Sequence, residues 1–156
     1  MSFDIFLQKF TDGRDAHADR DRVRRVLSSK DFNGPDQFGF YLVRFPDGTD
    51  VEFSAKGLDG EGDFAGCAFH IRGLSSNLIE FVWEIAKEGD MVILPAMQDF
   101  VPILSSPRQW EHLPSNLIDQ LADPVVCESS IELQCLLIKG HSGWREYRNQ
   151  LNEDRT

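Results

Sequence analysis

Asp59, Glu61 and Asp63 stand at alternate positions of one glycine-containing run. A calcium loop begins this way, because alternate side chains converge on one ion. The continuation is missing: Phe64 replaces the glycine such a loop needs, and His70 stands where a bidentate acid belongs. The expected role of the run is a solvated turn. Cys67 and His70 form a C-x-x-H pair that could join a nucleophile to its base or supply half of a metal site. On a strand, however, positions three apart face opposite ways, so the two should not meet.

The other candidates are weaker. His17, His112 and His141 lie in separate segments and belong to no HExxH or HxE…CxxC pattern. Gly57, Gly60, Gly62 and Gly66 make neither a dinucleotide nor a P-loop fingerprint, and the acids among them would repel phosphate. No serine sits in GxSxG. Trp144-Arg145-Glu146-Tyr147-Arg148 puts rings beside arginines, as single-strand binders do. At helical spacing, though, Trp144 and Tyr147 also read as a core stripe with the arginines outward. Asp21-Arg22-Val23-Arg24-Arg25 is the one basic cluster and reads as an exposed helix face laced with ion pairs. The sequence therefore predicts no catalytic group, metal site or cofactor.

Charge is the more informative signal. Between Phe45 and Phe64 stand six acids, Asp47, Asp50, Glu52, Asp59, Glu61 and Asp63, against the single base Lys56. The whole chain carries 26 acids against 16 bases, a formal net charge of -10. Such a field repels nucleic acid and draws cationic surfaces. The six acids are the expected partner-binding residues, with a cationic protein as partner.

At 156 residues the chain fits one globular domain, 1–156. A hydrophobic content of 41% with twelve phenylalanines means that the acid decorates a packed core rather than a disordered chain. The apolar run from Met91 to Pro95 is far short of the roughly 20 residues that span a bilayer. With Asp4 near the start there is no signal layout, so a cytoplasmic protein with no membrane contact is expected. Cys67, Cys127 and Cys135, without CxxC spacing, suit a reducing compartment as buried, inert thiols.

These residues must be positioned by elements that the patterning predicts in turn. Phe3 to Phe10 alternates as a strand, with Phe6 and Phe10 making its second face apolar as well, and Thr11-Asp12-Gly13 closes it. A helix over 17–29 buries Val23, Val26 and Leu27. Asn33-Gly34-Pro35 breaks the chain before strands over 37–45, 49–56 and 63–72, joined by a hairpin turn at Pro46-Asp47-Gly48 and a looser one at 59–62. Asn77 with Glu80 reads as the cap of a helix that Gly89 stops. Strands over 91–96 and 100–104 should pair across Gln98-Asp99. Beyond Pro107 come a turn near Trp110, a helix over 115–121, a strand over 125–127 and two helices either side of Gly140. This order implies an α+β domain, a largely antiparallel sheet with helices packed on one side and a helical C-terminal region.

Ser2-Phe3-Asp4-Ile5-Phe6-Leu7-Gln8, Gly89-Asp90-Met91-Val92-Ile93-Leu94-Pro95 and Trp144-Arg145-Glu146-Tyr147-Arg148 resemble stretches of small uncharacterised bacterial cytosolic proteins. The acidic, motif-poor character of the whole is similar to immunity proteins of bacterial toxin systems. The resemblance implies a stoichiometric inhibitor that occludes the active site of a co-produced toxin, often a basic nuclease. Independently, an acidic surface can mimic a phosphate substrate and be steered onto such a site. The alternative is a small enzyme or ligand-binding domain with a cleft lined by Asp4, Glu52 and His70. A third is a subunit whose partner is simply another protein.

Overall fold

The computed structural model describes residues 3–60, 62–96, 101–115, 124–138 and 149. The expected helices over 115–121 and beyond Gly140, the Gln98-Asp99 turn, Glu61 and the stripe at Trp144 lie wholly or largely outside them.

The fold class is as expected, α+β. Eight strands form one sheet in the spatial order β10-β9-β8-β1-β7-β6-β5-β4. They are β1 (Phe3–Gln8), β4 (Asp31–Asn33), β5 (Phe40–Arg44), β6 (Asp50–Ser54), β7 (Gly66–Ile71), β8 (Val92–Pro95), β9 (Ile103–Leu104) and β10 (Val125–Val126). The meander β5-β6-β7 is antiparallel as predicted, and β1 closes onto β7 with Asp4 opposite His70. Every pairing is antiparallel except that of β10 with β9. Three small elements depart from the sequence reading. The first expected strand ends at Gln8, and the chain continues into a separate two-stranded ribbon, β2 (Phe10–Thr11) with β3 (Arg14–Asp15), around the Asp12-Gly13 turn. β4, too short to show alternation, adds a strand just where only a break was expected.

Helices pack on the first face of the sheet. In α1 (Arg20–Ser28) the Asp19 carboxylate accepts the Arg22 N–H at 3.1 Å, and Val23, Val26 and Leu27 point inward. α2 (Ser76–Gly89) is capped by Ser75, whose hydroxyl accepts the Leu78 N–H at 3.2 Å. This corrects the expected Asn77 cap: Ser75 has the extended backbone a cap requires, and Asn77 already lies inside the helix. The helix ends on Asp90 in the left-handed region, φ 54°. Alternation of the strands sends Ile5, Leu7, Val43, Phe53, Phe69 and Ile93 to this face. Phe53 stacks on Phe69 with centroids 4.9 Å apart, and Phe81 of α2 meets both edge-on. Each such side chain stabilises the fold by about 1.5–3 kcal/mol on burial. Leu133, Leu136 and Leu137, from helical residues 130–138, join the same core.

The second face is divided. Over β8, β9 and β10 it is closed by a smaller cluster in which Val92 and Leu104 pack with Phe10 and with Leu113, which follows a 3-10 helix over Pro107–His112. Over β1, β7, β6 and β5 no described helix covers it, and Phe6 is exposed there. Among the described residues no helix is long and apolar enough to cross a membrane.

Candidate functional site

Across the part of the second face that no described helix covers runs one row of opposed residues: Leu42 on β5, Glu52 on β6, His70 on β7 and Asp4 on β1. The strand period of two makes this row inevitable once Phe53, Phe69 and Ile5 point to the core. Asp4 Oδ1 lies 2.8 Å from His70 Nδ1, a hydrogen bond that becomes an ion pair when the imidazole is protonated. His70 Nε2 is buried and has no hydrogen-bond partner among the described residues. The Phe40 ring leans over from β5 to within 5.6 Å of the imidazole, at an interplanar angle of 33°. Asp4, Glu52 and His70, the three residues named for an alternative cleft, are therefore neighbours.

Beside the row opens a groove of about 650 Å³, walled by the 33–36 segment, Phe38, Phe40, Leu42 and Glu52. Its loop is tightly held. Asp36 Oδ1 accepts the N–H groups of Phe38 at 2.8 Å and Phe40 at 3.0 Å. A Cβ on Gly34, φ 116°, would come within 2.7 Å of the Phe40 carbonyl oxygen, so only glycine fits this approach. Phe38 stands 67% exposed over the groove, more than any other large hydrophobic side chain among the described residues. The described lining residues include two carboxylates, Asp36 and Glu52, and no base.

The five described acids of the 47–63 stretch do not lie together. Asp50 and Glu52 share the second face. Asp50 lies opposite Arg44, which is itself opposite Asp31, so this row alternates in sign. Asp47 sits in the β5-β6 turn, where its carboxylate accepts the Thr49 hydroxyl at 2.5 Å and the Thr49 N–H at 2.9 Å. These two bonds, the hydroxyl first, hold its pKa below the ordinary carboxylate value. Asp59 and Asp63 lie at the opposite end of β6, in the loop to β7. There Arg24 of α1 binds the Leu58 and Gly60 carbonyls, and His17 approaches Asp63 at 3.5 Å. Arg24 thus faces that loop and is not part of a free basic face.

Cys67 points into the core, away from His70, and burial pushes its thiol pKa up. His112 Nδ1 accepts the Asp12 N–H at 3.1 Å, a structural role. Among the described residues no three His, Cys, Asp or Glu side chains gather as a metal site would require. The Phe38 groove was not anticipated, although Phe38 and Phe40 flanking a glycine after Asn33-Gly34-Pro35 could have suggested an aromatic loop. The chain matches no family model, and no curated protein or solved structure proves similar to it.

Proposed function

We propose that the protein is an acidic binding module that docks a cationic protein on the second face of its sheet, in the manner of an immunity protein occluding a basic toxin. One observation carries the reading: a preformed groove with an exposed phenylalanine and two carboxylates, with no base among its described lining residues, on a chain of net charge -10. Interfaces concentrate their energy in such aromatic anchors, while surrounding charge sets the rate of encounter. Asp47 and Asp50, at the rim of the same sheet, contribute to steering. Asp59 and Asp63, at the far end, act only through the long-range field.

The test uses purified basic nuclease domains and the product of the reading frame next to this protein's own. Association rates are measured at low and high salt for wild type, Phe38→Ala and an Asp50→Lys, Glu52→Lys variant. The reading expects association that slows with salt, a loss of affinity of about tenfold or more in Phe38→Ala, and a flattened salt slope in the charge variant. Absence of binding to every basic protein, or binding indifferent to all three substitutions, would remove it.

A second reading rests on the Asp4–His70 pair. A carboxylate that orients an imidazole is a familiar catalytic arrangement. Against it, Nε2 is shielded, and among the described residues no serine hydroxyl or cysteine thiol is hydrogen-bonded to the ring. The arrangement therefore favours a structural or recognition role for the pair.

A further inference from the structure

We propose that the Phe38 groove is a seat for an arginine side chain, so that the cationic partner is recognised by a guanidinium presented on a loop. The inference rests on the docking face proposed above and specifies its ligand. Three features converge on that chemistry. The groove wall is aromatic, with Phe40 tilted at 33° against His70, centroids 5.6 Å apart, and with Phe38 standing 67% exposed. A planar cation stacks on such rings, and it gives up less hydration than an ammonium in doing so. At the groove stands Glu52, which forms no ion pair with any described residue, and Asp36 commits a single oxygen, Oδ1, to the loop N–H groups. A guanidinium donates in a fork to such an acceptor. Finally, the volume of about 650 Å³ admits a long side chain together with the backbone that carries it, and the glycine-tight 34–40 loop needs little ordering on binding.

His70 contributes by position. Pinned by Asp4 through Nδ1, it backs the Phe40 ring and directs no described hydrogen bond toward the groove. Aromatic stacking and a carboxylate are left as the recognition elements.

The proposal is tested by NMR of phenylalanine-labelled protein titrated with the blocked tripeptide Gly-Arg-Gly, its lysine counterpart and its citrulline counterpart, which keeps the shape and loses the charge. Saturable shifts of the Phe38 and Phe40 resonances with the arginine peptide are expected, with affinity at least about tenfold lower for citrulline and severalfold lower for lysine. Glu52→Gln should weaken the arginine peptide about tenfold. Unmoved ring signals, or equal responses to arginine and citrulline, would overturn the seat. Running Glu52→Gln against the basic proteins of the docking test separates the two readings. Unchanged binding of the protein partner by Glu52→Gln, together with loss in Phe38→Ala, would refute the seat and keep the face, whereas indifference to both substitutions would refute both.

Discussion

Asp90 and Gln109 tie the left-handed end of α2 to the 3-10 helix: Gln109 Nε2 donates to Asp90 Oδ1 at 3.0 Å, while Lys9 Nζ donates to the other carboxylate oxygen at 2.7 Å. Gln109 is 6% exposed and completes the link by accepting the Ser105 N–H at 2.8 Å. A loop and a helix end that share no secondary structure are thereby fixed to each other and to the start of the ribbon.

This link should be visible as a pH dependence. Burial raises the Asp90 pKa, but the bonds from Lys9 and Gln109 and the positive field of Lys9 and Arg108 outweigh it and leave the carboxyl below its ordinary value. A depressed folded pKa contributes stability that is present above the unfolded value and lost as pH falls through the folded one. Asp90→Asn, which keeps an acceptor and tolerates left-handed backbone, should cost about 0.5–1 kcal/mol at neutral pH after solvent screening. Urea melts as a function of pH should show the gap to wild type narrowing as pH falls below about 4. A gap independent of pH would exclude the carboxylate charge as its source.

Trp83 belongs to the core cluster although it stands at the rim between the helices, 8% exposed. Trp83→Ala should cost about 3–5 kcal/mol in denaturant unfolding, and Phe81→Ala a similar amount through loss of the ring cluster over Phe53 and Phe69.

Gly57 and Gly48 both adopt positive φ, 91° and 89°, and separate backbone strain from crowding. A Cβ on Gly48 meets nothing within 4 Å, so Gly48→Ala should cost only the left-handed penalty of about 1–2 kcal/mol. A Cβ on Gly57 would strike the Asp63 carbonyl oxygen, so Gly57→Ala should cost clearly more and displace the 58–63 loop. Equal melting temperatures for the two variants would contradict this.

Thermal melts with and without chelator should overlay, because among the described residues no three ligands converge. A drop of many degrees on chelation would direct attention to Asp59 and Asp63 first.

Periodicity made much of the fold legible. Ile5 and Leu7, Val51 and Phe53, and the Leu78–Ile85 stripe all point where strand and helix spacing place them. Pro46-Asp47-Gly48 marked the hairpin because its turn chemistry is local. The β9-β10 pairing stayed hidden, since a two-residue parallel pair more than twenty residues apart leaves no periodic trace. The candidate site was half legible. Alternation alone places Glu52 and His70 away from the core, yet their meeting with Asp4 depends on β1 entering the sheet beside β7, a choice made by long-range packing. Counting acids along the chain likewise could not reveal that β6 separates Asp47 from Asp59 by its full length.

Among the described residues the sheet ends in strands of three residues, β4, and two residues, β10. An unpaired edge of ordinary length is a template on which another chain can add a strand, and such growth is how sheets polymerise. Here the three-residue border carries the charge of Asp31, and the two-residue border offers few backbone groups on which to start a ladder. Among the described residues, neither margin of the sheet offers a second copy a strand of ordinary length on which to join.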